Sequence, residues 1–281
     1  MRYLASVAAS REFDIMARNE WQLWSDFIGL FVATGYLRGE PAQSLLLVGD
    51  PGEGKSAILH RFFDVPTTIV AMDATAEGLK QQVFPRAIKE RKRHLLMPEM
   101  YKLMQRRGPT AENTIGVLTL AMSGEMLDSY IGPSQLDQFP EGFQLGVIGA
   151  MPSKIFDEWR TTINNTGLLS RMMPVPFRLS DELRAQIKVA IAKRDKRMLA
   201  PVRFKWPTAP VDITYTHHLS VPVIRMVDDI IGKSHGQHNR FIDMLVCLVK
   251  SVALLEGDSV CKERHVDALR EFIPILRGDA L

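Results

Sequence analysis

Cysteine is nearly missing from this sequence. Among 281 residues only Cys247 and Cys261 occur, with no CxxC pair and no Cys/His cluster. That argues against a disulfide framework and against a structural zinc site. Long apolar runs are missing too. The most apolar stretch, Phe241 to Leu255, is interrupted by Asp243 and Lys250 and is shorter than a membrane span, so no membrane contact is expected. The opening apolar stretch is broken by Arg11, Glu12 and Asp14, which reads against a signal peptide and for a cytoplasmic protein. Charge of one sign is scarce: 35 Lys and Arg against 32 Asp and Glu leave +3, too little for a nucleic-acid coat by itself. There is no internal repeat and no low-complexity tract. What is present is core material. Hydrophobic residues make up 46%, with thirteen Phe, four Trp and fourteen Met, which excludes global disorder.

Residues 11–37 carry Phe13, Met16, Trp21, Trp24, Ile28 and Phe31 at helical spacing, the pattern of a core-facing stripe. Four apolar runs then read as strands: Ser44 to Val48, Thr67 to Met72, His94 to Met97 and Leu145 to Gly149. Val175 to Leu179 is a candidate fifth. Helical segments lie between them, one of which starts at Pro109 with Thr110 as its N-cap. Residues 126–144 read as a hairpin or loop. Strands alternating with helices predict an α/β fold with a largely parallel sheet sandwiched by helices. The character changes after Asp181, where a basic helix (181–198) and a proline-containing connector precede an all-helical stretch. The expected organisation is a helical segment over 1–40, an α/β core over 41–180, a basic helix and connector over 181–221, and a helical lid over 222–281.

The strongest motif is Gly49-Asp50-Pro51-Gly52-Glu53-Gly54-Lys55-Ser56, which fits GxxxxGK[ST] between an apolar strand and a helix. Glycines let the backbone curl so that successive N–H groups face phosphate oxygens. The helix that starts near Gly54 adds its positive end. Lys55 reaches the β- and γ-phosphates, and the Ser56 hydroxyl suits Mg²⁺. Hydrolysis calls for acids nearby. In Leu95-Leu96-Met97-Pro98-Glu99, Glu99 stands where a water-polarising glutamate belongs, or is a solvated strand-end carboxylate. Pro98 takes the place usual for a metal-associated aspartate and has no carboxylate. Asp73 is a substitute acid or a helix cap. After the next strand, Met151 stands where a polar residue would orient the attacking water; Ser153 fills that role only if the register shifts by two.

The order of these pieces resembles the AAA+ superfamily of P-loop ATPases, most closely the branch of minichromosome-maintenance helicases and related viral and mobile-element replication ATPases. Gly49 to Ser56 resembles Walker A, Leu95 to Glu99 a degenerate Walker B, and Leu145 to Pro152 the strand that leads to sensor 1. Gly167-Leu168-Leu169-Ser170-Arg171 resembles the segment that carries the arginine finger, and His238-Asn239-Arg240-Phe241 the start of the lid helix with the sensor 2 arginine. The resemblance implies ATP or ADP with Mg²⁺ as ligands and catalytic roles for Lys55, Glu99 and Arg171. It also implies nucleotide contact by Arg240, and a homo-oligomeric ring, a hexamer, in which Arg171 sits on a protruding loop and serves a neighbour.

For DNA, Met126 to Gln144 carries no Lys or Arg, so a phosphate-gripping hairpin is not expected there. Basic residues instead group at Arg86–Arg93, at Lys102–Arg107 and at Lys188–Lys205. The leading expectation is a helicase motor or helicase loader acting on DNA, with a replication protein as a further partner. The alternative is a nucleotide-gated assembly switch with little hydrolysis, motivated by Pro98 and Met151. A small-molecule kinase is the weaker third class.

Overall fold

A computed structural model of the chain describes residues 15–106, 109–125, 140, 142–193, 200–202, 204–231 and 238–278. The first helix, α1 (Ile15–Ala33), continues as a 3-10 turn to Tyr36. The alternating segment follows. It comprises β1 (Ser44–Gly49), α2 (Lys55–His60), β2 (Thr68–Val70), α3 (Ala76–Gly78), a π-turn (Leu79–Val83), α4 (Phe84–Lys89), β3 (His94–Met97), α5 (Tyr101–Met104), α6 (Pro109–Ser123), β4 (Gly146–Pro152), α7 (Ser153–Asn165) and β5 (Met172–Pro176). The remaining helices are α8 (Asp181–Ala192), α9 (Ser220–Ile231), α10 (His238–Glu256), α11 (Glu263–Arg270) and α12 (Ile273–Arg277).

The strands form one five-stranded sheet in the order β2-β3-β4-β1-β5, and each adjacent pair is parallel. The expected α/β fold with a parallel sheet between helices is therefore observed. Its core falls into two apolar clusters, one on each face. Leu45 and Leu47 join the cluster built on α1 and α2, while Leu46 joins the one built on α4, α5 and α6. This is the two-residue alternation of a strand whose two faces are both covered, and it is why β1 reads as an unbroken apolar run. On the first face Trp24 lies 4.5 Å from Phe177, and Phe27 lies 5.6 Å from Phe272, centroid to centroid.

The helices after residue 220 share that first cluster, through Leu245, Leu248, Val252 and Leu269. The connector is tied down as well: Trp206 stacks on Tyr36 at 5.7 Å, and Val211 bridges Leu37. At the edge strand β5, Phe177 donates its N–H to Val48 on β1. Alternation then turns Pro174 and Pro176 outward, where proline leaves no N–H for another strand to use.

Three local expectations differ from the structure, the first being the fifth strand, which spans Met172–Pro176 rather than Val175 to Leu179. Thr110 lies within α6, which already begins at Pro109, so it does not cap that helix. Asp73 does not cap either: the N-cap of α3 is Thr75, whose side chain accepts from the Gly78 N–H at 3.0 Å. Asp73 instead pairs with Arg106 at 2.8 Å. Most of the expected hairpin at 126–144 lies outside the described residues. No helix among the described residues is long and apolar enough to cross a membrane.

Candidate functional site

The chain runs from β1 to one side of the sheet and returns from β4 to the other side of β1, so β1 sits at a switch point of the topology. Ligands of open parallel sheets bind at the carboxyl ends of the strands at such a point. The Gly49–Ser56 loop emerges there. Two of its glycines have positive φ, Gly52 at 85° and Gly54 at 92°, which only glycine adopts without strain. At Gly49 the requirement is space, because a Cβ would stand 2.3 Å from the Phe177 carbonyl oxygen. Gly54 opens α2 and lies beneath the Trp21 ring, which is 3.5 Å from where its Cβ would be. The stripe of α1 thus supplies more than core: Trp21 backs the loop.

Lys55 is buried, and its Nζ donates to the carbonyl oxygens of Gly49 at 2.8 Å and Asp50 at 2.7 Å. Burial pulls its pKa below the ordinary lysine value, while Glu53 and Asp50 oppose the shift. Its direct hydrogen-bond acceptors are neutral carbonyls, so an anion at contact distance would add compensation that they do not give. The first N–H groups of α2, starting at Lys55, have no carbonyl of their own helix to bond. Together these make a cationic, donor-rich pocket suited to phosphate.

Glu53 has its side chain tucked beneath the loop and only 8% exposed. It accepts the Asp50 N–H at 3.2 Å and faces Arg184 of α8 at 3.8 Å. The N-terminus of α8 is held by Glu20 of α1, which accepts from the Ser180 N–H at 2.9 Å and the Ser180 hydroxyl at 2.6 Å. A cleft of about 780 Å³ adjoins the loop, lined by Gly49, Asp50, Glu53, Ser153, Arg178 and Arg184 among others. Trp21, Glu20, Arg178 and Arg184 carried no motif in the sequence. Trp21 reads there as one more apolar position, and Arg184 as one charge in a basic helix.

The expected acids divide. Glu99 follows β3 in a turn, half-buried, and forms an ion pair with Lys102. Asp73, held by Arg106, is engaged elsewhere. Ser56, exposed at the start of α2, donates its hydroxyl to the Pro98 carbonyl at 3.0 Å, so the loop and the end of β3 meet there. Met151 is fully buried within β4, opposite Val48. Ser153 opens α7 and lines the cleft.

Arg171 and Arg240 come together at the other end of the sheet. Ser44 is level with Met172, so Arg171 lies about one strand length, roughly 20 Å, from Gly49. Gly167, with φ of 75°, ends α7 in the left-handed turn usual after a helix. That turn folds Arg171 back rather than letting it protrude. Its guanidinium donates to the Ser123 hydroxyl and to the Gly167 carbonyl (3.1 Å), lies 3.8 Å from Glu125, and the side chain is 21% exposed. Arg240 donates to the Ser170 hydroxyl at 2.7 Å and the Ser170 carbonyl at 3.1 Å. These arginines line a second cavity of about 940 Å³ together with Arg160, Arg277, Glu125 and Asp243. Arg240 therefore does not reach the phosphate loop of its own chain.

Part of the basic groups is engaged within the chain. Arg86 pairs with Glu90 at 2.8 Å, Lys92 donates to the Pro66 carbonyl at 2.8 Å, and Arg93 donates to the Glu40 carbonyl at 3.0 Å. Lys188, Lys193 and Lys205 are exposed, while Arg107, Arg194, Lys196, Arg197 and Arg203 lie outside the described residues.

Set against models of known protein families the chain matches none, and set against curated proteins it also finds no match.

Proposed function

We propose that this protein binds ATP with Mg²⁺ at Gly49–Ser56 and hydrolyses it as a ring-forming ATPase of the AAA+ type, acting on DNA in replication as a helicase motor or loader. The observation that carries the reading is the loop itself: a glycine-built turn at the switch point of a parallel sheet, with a buried Lys55 held only by loop carbonyls. In this reading the Lys55 ammonium exchanges those carbonyls for phosphate oxygens, and the first N–H groups of α2 hold the same anion. The donor set fits Mg²⁺: the exposed Ser56 residue carries a hydroxyl, a hard oxygen ligand, and Glu99 directly follows Pro98, whose carbonyl accepts from that hydroxyl. Mg²⁺ would neutralise charge on the phosphates. Glu99, once released from Lys102, would accept a proton from the attacking water.

The ring reading gives Arg171 a role in trans. At about 20 Å from its own loop it cannot serve its own nucleotide, and to offset transition-state charge on a neighbour's it would have to leave Ser123, Gly167 and Glu125. Arg240, beside it, belongs on the same face. Exposed lysines such as Lys188 and Lys193 would supply the DNA contacts, multiplied around a hexamer. The test is ATP turnover with and without single- and double-stranded DNA, wild type against Lys55→Ala, together with particle mass with and without ATP. Nucleotide affinity unchanged in Lys55→Ala refutes the reading.

One observation favours a second reading, a nucleotide-gated assembly switch. Met151, fully buried in its strand, offers nothing to an attacking water. ATP-dependent assembly with negligible turnover would select the switch; rapid steady-state turnover would select the motor.

A further inference from the structure

Pro98 raises a chemical question. Where a phosphate-loop site needs a group to hold the Ser56 hydroxyl and the metal shell, the side chain at this position is a pyrrolidine ring. We infer that the main-chain carbonyl of Pro98 is that group: it orients the Ser56 hydroxyl as a ligand for a divalent cation. This rests on the ATP–Mg²⁺ reading above and specifies how one of its parts is built.

Four observations meet here. The Ser56 hydroxyl donates to the Pro98 oxygen at 3.0 Å. A hydroxyl that donates its proton in this way leaves its lone pairs directed elsewhere, and a metal ligand requires those lone pairs. The Pro98 ring is buried and its φ is fixed by covalent geometry, which removes one of the two backbone freedoms that aim its carbonyl. The turn that carries it is pinned on both sides. Met97 pairs with Gly149 on β4, and the Met100 N–H donates to the Ala150 carbonyl at 3.2 Å. Finally, Ser56 is exposed although Lys55 beside it is buried, so the residue is open to solvent.

A carbonyl reproduces the orienting role of a carboxylate but not its charge. The consequence is a weaker hold on the cation, because a neutral oxygen compensates a divalent charge less than an anionic one. Partners that orient metal ligands are worth about 10- to 100-fold in metal affinity. Pro98 is thus a positioning residue that acts through its backbone, which is why its side chain carries no sign of the role.

The experiment measures the affinity of a fluorescent ATP analogue across a Mg²⁺ titration and in EDTA, with thermal melts to check that each variant is folded. Wild type is expected to bind more tightly with Mg²⁺. Ser56→Ala is expected to lose that increment while keeping its affinity in EDTA. Pro98→Ala, which keeps the carbonyl, is expected to retain it. Pro98→Gly keeps the carbonyl but frees the backbone that aims it, and is expected to raise the Mg²⁺ midpoint up to about tenfold. A Mg²⁺ midpoint unmoved in folded Pro98→Gly overturns the inference. If Pro98→Gly does not fold, Ser56→Ala and Pro98→Ala decide, and an increment that persists in the first or vanishes in the second overturns it. No analogue binding by wild type at any Mg²⁺ concentration refutes the phosphate-loop reading itself, and the inference with it. Tight Mg²⁺-dependent binding that is indifferent to these substitutions refutes the inference alone.

Discussion

Asp26 lies in α1 with only 4% exposure, and burial pushes its carboxyl up from 3.8 to about 7. Gln22, which donates to its Oδ1 at 2.6 Å, and the nearby Arg61 pull the other way without cancelling the effect. Arg61 is occupied by Ser25 and by the Ala200 carbonyl, so it compensates Asp26 only in part. The folded state therefore holds a proton that the unfolded state releases between about pH 4 and pH 7. A raised carboxylate pKa means that stability is greatest below the unfolded value and falls as pH rises through the folded one. With about three pKa units between the two states and about 1.4 kcal/mol per unit, the loss reaches about 4 kcal/mol by pH 8. Asp26→Asn keeps the acceptor for Gln22 and removes the charge. Its stability relative to wild type should grow from under about 1 kcal/mol at pH 4 to about 4 kcal/mol at pH 8, or roughly 10 °C in melting temperature for a chain of this size. Urea melts of both proteins at pH 4, 5, 6, 7 and 8 measure this difference directly, since other titrating groups are common to the two. A constant difference across that range, or a wild type more stable than the variant at pH 8, would refute the account of Asp26 as a buried and mostly uncompensated acid.

Four further outcomes are expected. Lys55→Ala should weaken ATP binding at least tenfold in calorimetry, because the Lys55 ammonium is the buried cation of the loop. Gly49→Ala should destabilise the protein by about 1–3 kcal/mol in chemical denaturation, since the added carbon meets a backbone oxygen rather than a movable side chain. Glu20→Ala should cost about 0.5–2 kcal/mol by removing the acceptor that holds the start of α8 at Ser180. Arg171→Ala should leave ATP affinity unchanged while lowering turnover about 10³-fold or more in assembled particles; mixing it with Lys55→Ala should restore part of the rate, because each copy then supplies what the other lacks. Full loss of ATP binding in Arg171→Ala would place that arginine in its own chain's site.

Periodicity carried much of the fold. β1 and β3 were readable as strands because a strand covered on both faces has apolar residues at every position, and Leu45, Leu46 and Leu47 do feed the two opposite clusters in turn. The phosphate loop was readable because its requirements are local: positive φ at Gly52 and Gly54, no room for a side chain at Gly49, and a helix that starts at the next residue. Thr110 shows the limit of such signals, since a helix that begins one residue earlier removes the cap role entirely.

What the order of residues could not disclose is distance. Arg171 and Arg240 are separated by about a quarter of the chain, yet both bond the Ser170 turn, because α10 and β5 are brought together by a core that neither segment encodes alone. Arg184, Trp21 and Glu20 look like any charge or any apolar position until α8 and α1 pack around the loop. Pro98 is the sharpest case. A sequence lists side chains, and by that reckoning the position is chemically blank. The acceptor it offers Ser56 belongs to the backbone, which every residue has and only the packing of β3 beside β4 aims. Local geometry and apolar period were thus settled by the amino-acid order itself, whereas the pairing of groups far apart in the chain was decided by the tertiary contacts that bring them within hydrogen-bonding range.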